Sequence, residues 1–277
     1  MADIEKQREN LQLLRKKIFI TGYRGGMAHF ASCFSCIEMI YALYMENIVR
    51  YDPQNPKWEE RDRFVLSKGH AGLALYSVLN MAGLVSDEVL ASYLTDNSLI
   101  GGEPCMRDNP WIEATTGSLG HGLSMALGIA IALKIDGKKS KVYCMLGDGE
   151  LQEGTLWEAI MTAPSFKTDN LIAIIDSNKI QKMDFVEKTI GEPDWKRKFE
   201  AFGWTADEVD GHDVEAFKKC ALKENASDRP RVIIADTVKG KGVSLMEESC
   251  NWHFRMPKKK ELKIFLDELG ISEEELA

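Results

Sequence analysis

The chain has no excess of basic residues: 35 lysines and arginines stand against 43 aspartates and glutamates, a formal charge of −8 over 277 residues. That balance argues against a binder of nucleic-acid backbones, which needs a basic face, but leaves room for a small phosphorylated ligand held locally. There is no membrane-length apolar run, since the longest stretch, around Met125 to Leu133, falls well short of a span. The N-terminus, MADIEKQREN, is too charged for a signal peptide. No repeat, low-complexity block or proline- and serine-rich linker interrupts the sequence. The six cysteines lack the spacing of a disulfide scaffold, and the lone CxxC at Cys33 and Cys36 has no second pair or nearby histidine to complete a zinc site. These absences lead to the expectation of a cytoplasmic chain with reduced, partly buried thiols and no membrane or nucleic-acid partner.

What is present is a large apolar fraction, 44%, enough for a sizeable core. Leu11, Leu14 and Ile18 mark an amphipathic helix over 3–20, and a second helical pattern covers 34–47. A short strand over 62–67 leads into SKGHAG and a further helix. Residues 121–134 read as a helix whose small residues at 122, 126 and 130 permit close packing. Three apolar runs, 142–146, 171–175 and 232–235, read as buried parallel strands, with helices over 152–165 and 213–225 between them. Leu262, Phe265, Leu266 and Leu269 make a closing amphipathic helix. Strands alternating with helices predict an α/β fold: a mostly parallel central sheet with helices on both faces, in one domain spanning 1–277.

The first buried strand ends in Leu146-Gly147-Asp148-Gly149-Glu150 and the next in Ile175-Asp176-Ser177-Asn178. One βαβ crossover separates Asp148 from Asn178, so both emerge at the carboxyl edge of the sheet, where open α/β folds place their ligands. Glycines there admit close backbone approach, and amides near the following helix can receive a phosphate. A carboxylate and an amide oxygen suit Mg²⁺ better than Zn²⁺. Taken separately, a GDG is a common turn, and an asparagine after a strand often only caps a helix. A dinucleotide-binding dehydrogenase is disfavoured, because no GxGxxG occupies that turn.

GDGELQEGTLWEAIM, followed by DNLIAIIDSNKIQ, resembles the thiamine diphosphate motif of transketolases. The resemblance continues through SKGHA (67–71), TTGSLGHGLSMALGIA (115–130), AFGW (201–204), VDGHD (209–213), TVKGKGVS (237–244) and Trp252-His253. It implies that Asp148, Asn178 and the Ile180 carbonyl ligate Mg²⁺, with Ca²⁺ or Mn²⁺ as substitutes. Asn178, His70 and the Gly149 amide would contact the cofactor, with Gly117 and Leu119 lining its ring systems. Glu153 would sit at an interface near its symmetry mate. His29, His70 and His253 would form the catalytic, substrate-facing set. The residue-level alternatives are a turn role for His212, a capping or packing role for His121, and a helix-start role for His29.

The resemblance covers only the diphosphate-binding half of the family. It implies the N-terminal subunit of a split transketolase, expected to be active only with a partner that carries the pyrimidine domain and its catalytic glutamate, in an α₂β₂ assembly. The implied reaction moves a two-carbon ketol unit from a ketose or ketose phosphate to an aldose. Alternatives are a deoxyxylulose-phosphate synthase-like subunit, a 2-oxoacid dehydrogenase E1-like subunit, or a non-catalytic cofactor-binding regulatory subunit. Two departures bear on the substrate. Met27-Ala28-His29-Phe30-Ala31 replaces the family's SGHPG, and Gly102-Glu103-Pro104 replaces its GHP.

Overall fold

The computed structural model describes residues 2–107, 109–225 and 227–276. In chain order the elements are α1 (Ala2–Arg24), α2 (Phe30–Met45), β1 (Arg63–Leu66), α3 (Gly72–Met81), α4 (Asp87–Ala91), α5 (Gly122–Ile135), β2 (Val142–Gly147) and α6 (Gly154–Ser165). There follow β3 (Leu171–Ser177), α7 (Val186–Ile190), α8 (Trp195–Ala201), β4 (Thr205–Asp210), α9 (Val214–Ala221), β5 (Arg231–Asp236), α10 (Lys259–Leu269) and α11 (Glu273–Leu276). The strands form one sheet in the order β1-β2-β3-β5-β4, and every pairing is parallel.

The continuous apolar runs follow from burial on both faces. Tyr143, Met145, Ile172, Ile174 and Ile233 pack against α1, α2, α3 and α9, while Val142, Cys144, Leu146, Ala173, Ile175 and Val232 pack against α5, α6 and α8. Successive side chains along a strand therefore feed two separate cores. The α/β class with helices on both faces agrees with the sequence expectation. Cys33 and Cys36 are fully buried on α2, and burial pushes the Cys33 thiol up to about 12.

Several boundaries differ. The first helix runs on to Arg24, and the second begins at Phe30, directly after His29. The helix expected at 152–165 starts at Gly154, behind a 3₁₀ turn over Gly149–Gln152, and the one expected at 213–225 stops at Ala221. The sequence TADEVD forms β4, an edge strand that the apolar-run criterion passes over because its residues are half-buried or exposed. The closing helix is confirmed, with Phe265, Leu266 and Leu269 buried.

These strands bring the ends of β2, β3 and β5 to one edge, where Gly147 pairs with Asp176 and Ser177 with Asp236. Asp148 and Asn178 leave the sheet there, side by side.

Candidate functional site

The centre of this edge is Asp176, fully buried at the end of β3. Its carboxylate accepts from Ser35 Oγ (2.6 Å), Asn178 Nδ2 (3.1 Å), Thr237 Oγ1 and Lys68 Nζ, so three other segments converge on the end of β3. Burial alone would push this carboxyl up, but the Lys68 ammonium beside it outweighs that and holds it below its ordinary value. Lys68 is equally buried; burial acts downward on its ammonium, and Asp176 carries it upward on balance.

The Asp176 contact fixes the Asn178 amide, turning Nδ2 inward and leaving Oδ1 beside the Ile180 amide (3.2 Å). Asp148 accepts from the amides of Gly149 (2.7 Å) and Lys179. Its carboxyl is pushed up to about 6, first by burial and then by the charge of Asp176. One carboxylate, one amide oxygen and one backbone carbonyl thus face a common region. All are hard oxygen donors, and among the described residues the buried Asp148 carboxylate makes no ion pair, only feeling the Lys239 ammonium nearby, which fits a divalent cation shared with phosphate oxygens. Among the described residues no cluster of three or more His, Cys, Asp or Glu side chains could hold a metal alone. A cleft of about 1250 Å³ lies over this edge, with Asp148, Asn178, Ile180, Asp236 and Thr237 in its walls.

The three expected histidines lie together. Ring centroids are 5.1 Å apart for His29 and His70, 5.7 Å for His29 and His253, and 5.6 Å for His70 and His253. Phe254 stacks on His29 at 4.4 Å. Burial, and then Lys239, lower His29 to about 4 and His253 to about 3. Burial, then Lys68, take His70 well below its ordinary value. At neutral pH the three imidazoles are uncharged, able both to accept and to donate hydrogen bonds.

Lys239 connects the two groups. Its buried ammonium donates to the Ile180 carbonyl (2.9 Å) and lies 3.1 Å from His253 Nδ1. Burial, then Lys68, lower it to about 8. Sequence reasoning missed Lys239, Lys68 and Asp176. The available signal was polar: Asp176 closes an apolar run, and Lys239 stands beside glycine after a buried strand.

The remaining expected residues frame this centre. Gly117 has φ +134° and lies against Gly69, the neighbour of His70. The space its Cβ would need holds the Glu103 carboxylate. Leu119 is half-buried in the same loop, and its carbonyl lies 3.1 Å from His121 Nδ1. Buried Glu150 ties three loops by accepting from Ser67 Oγ, Gly120 N (2.9 Å) and Gly147 N (3.1 Å). Glu153 is exposed at the N-cap of α6. One local expectation needs correction. His121 precedes α5 but makes no side-chain cap bond, because its Nδ1 turns back to Leu119. His212 stands in a turn as expected, and its half-buried ring is bonded on both nitrogens.

Comparison with known proteins gives the family. The family described as "Transketolase, thiamine diphosphate binding domain" matches residues 20–276. The chain belongs to this family. Its transketolase relatives include an apulose-4-phosphate transketolase subunit of Actinobacillus succinogenes, 36% identical over 96% of this chain and 96% of that protein. A 6-deoxy-6-sulfo-D-fructose transketolase subunit of a Clostridium species is 38% identical over 82% and 83% of the two chains. The crystal structure of transketolase from Campylobacter jejuni superposes with a TM-score of 0.85 at 30% identity, covering 95% of this chain and 43% of that one. The chain thus matches the two bacterial transketolase subunits over most of their length and spans less than half of the solved transketolase. No helix among the described residues is long and apolar enough to cross a membrane.

Proposed function

We propose that this chain, as one domain over 1–277, is the thiamine diphosphate-binding subunit of a two-chain cytoplasmic transketolase that moves a two-carbon ketol unit from a ketose or ketose phosphate to an aldose. The observation that carries this reading is Lys239, one ammonium within hydrogen-bond reach of both the Ile180 carbonyl and His253. It joins a site suited to a cation and a diphosphate to a site suited to sugar hydroxyls. Relatives that are themselves named as subunits of a transketolase support a second chain, proposed here to supply the pyrimidine domain and its glutamate in an α₂β₂ assembly.

Asp148, Asn178 and the Ile180 carbonyl would hold Mg²⁺, with Ca²⁺ or Mn²⁺ able to replace it. His70, Asn178 and the Gly149 amide would meet the diphosphate, and Gly117 and Leu119 the rings. Thiamine diphosphate, when bound, supplies the carbon nucleophile and electron sink for exchanging carbon–carbon bonds beside a carbonyl. The protein's own part is to bind, orient and shuttle protons. Because Nδ1 of His253 faces the Lys239 ammonium, Nε2 is left to carry its proton and offer it to a sugar oxygen. The rings of His29 and His70 make no hydrogen bond among the described residues, which leaves their nitrogens free for substrate. Glu153, exposed at the N-cap of α6, is assigned to contact with a symmetry-related copy.

The test is reconstitution. The chain is purified alone and with the pyrimidine-domain chain, and two-carbon transfer is followed across a panel of ketoses and aldoses. Transfer is expected only from the pair. Efficient transfer by the single chain defeats the two-chain reading, and CO₂ release from a 2-oxoacid defeats the assignment of ketol transfer.

A further inference from the structure

Beneath the loop that carries Lys239 lies a second buried polar group, which reaches the wall of the cleft only through His212. Arg15 comes from α1, Glu38 from α2 and His212 from the turn after β4. Their side chains are 9%, 6% and 15% exposed. Arg15 Nη2 bonds Glu38 Oε1, and His212 Nδ1 lies 3.1 Å from Glu38 Oε2, so one carboxylate binds both partners. Burial would raise the Glu38 carboxyl, but Arg15 and then His212 bring it below its ordinary value.

The outward contacts of this group converge on one segment. The Val238 amide donates to His212 Nε2 (2.8 Å), and Arg15 Nε donates to the Lys241 carbonyl (2.9 Å). The Gly240 amide donates to the Ala31 carbonyl at the start of α2 (3.0 Å). The backbone is therefore gripped on either side of Lys239. Since Nε2 accepts the Val238 N–H, the ring proton must sit on Nδ1, pointing at Glu38. Gly242, at φ +96°, lets Arg15 pass: a Cβ there would lie 3.0 Å from Nε.

A buried ion pair is weak evidence for stability, because desolvation offsets most of the attraction. Both outward contacts here reach backbone atoms flanking one functional side chain. We propose that Arg15, Glu38 and His212 are positioning residues that set the 237–242 backbone, so that the Lys239 ammonium reaches the Ile180 carbonyl and His253 together. The consequence for cofactor affinity rests on the thiamine diphosphate reading above; the positioning itself rests on the contacts just described.

The test compares H212N with H212Q in the protein as isolated, with any chain that co-purifies. Asparagine can place an amide near the Nδ1 position and meet Glu38 but cannot reach the Val238 amide. Glutamine can place an acceptor near Nε2. In H212N, hydrogen exchange in peptides covering 237–246 is expected to accelerate while the β2 and β3 peptides hold. Affinity for thiamine diphosphate in the presence of Mg²⁺, by titration calorimetry, should fall about tenfold or more, the scale seen when supports of a binding site are removed. H212Q should restore both towards wild type. K239M should lose affinity while keeping loop protection, and the H212N/K239M double variant should bind no worse than K239M alone. Should H212N not fold, E38Q takes its place, with the same loop loosening and affinity loss expected.

Unchanged exchange at 237–246, loosening spread evenly over the sheet, or no recovery in H212Q overturns the positioning role. If wild type takes up no thiamine diphosphate, the functional reading fails, while the exchange data still decide the positioning. If wild type binds and the loosened variant binds equally well, the functional reading stands and the positioning role is refuted.

Discussion

Around Asp176 the buried charges are paired, whereas around His29 the half-buried rings are uncharged and no carboxylate bonds them among the described residues. Both regions are desolvated, and both lie near lysines. They differ in what burial leaves behind. A carboxylate and an ammonium can be buried together because each supports the other's charge. Three clustered imidazoles have no such support, and neighbouring ammonium groups depress them further. The first region is a fixed electrostatic frame, and the second is a set of proton donors and acceptors without a charge of its own.

The comparison breaks most sharply at Asp176. Asp176→Asn leaves Lys68 buried and unpaired, and should cost about 3–5 kcal/mol in urea unfolding at neutral pH. Replacing the pair together, Lys68→Met with Asp176→Leu, should recover much of that stability. If the single variant unfolds like wild type, the pair is not the frame described here.

Asp148→Ala tests the same edge without a buried ion pair. Its carboxyl is already pushed upward by burial, so the fold should persist while Mg²⁺-dependent binding of thiamine diphosphate falls about a hundredfold, close to 3 kcal/mol. Calorimetric titration reads the change, and unchanged affinity removes Asp148 from the metal set.

The histidine region should respond to acid. His29 is lowered from 6.5 to about 4. As pH falls below 6.5 the unfolded chain takes the proton before the folded one, so the stability given by the neutral ring is present above that value. It is lost progressively as pH falls towards about 4. His29→Gln should therefore lose less stability than wild type over that interval, measured as the shift in urea midpoint. An identical slope for both proteins defeats the assignment.

The smallest effect is expected at Phe254, which is 48% exposed and stacked on His29. Phe254→Ala should cost about 0.5–1.5 kcal/mol at most. It should also let the His29 titration, followed by NMR, move up towards its ordinary value.

Much of this was legible in the sequence, for reasons that differ by residue. Three of the five strands read directly as apolar runs, because parallel strands buried on both faces need no polar alternation. Asp148 and Asn178 could be placed because strand ends fix them at one edge. Strand β4 escaped because charged edge residues mimic a loop. Lys239 and Lys68 escaped because a lysine in sequence reads as solvent-facing, and only tertiary packing shows that each has a buried partner. His212 was legible as a turn residue, but its contact with Glu38, 174 positions away, was not.

The acidic edge strand has a consequence for assembly. The sheet ends at β1, whose four residues are all buried, and at β4, which carries Asp207, Glu208 and Asp210. Neither border offers a bare, uncharged backbone on which a foreign strand could register. Another chain has to meet this one through side chains and loops rather than by extending the sheet. Such contacts can be made and undone without unravelling the core.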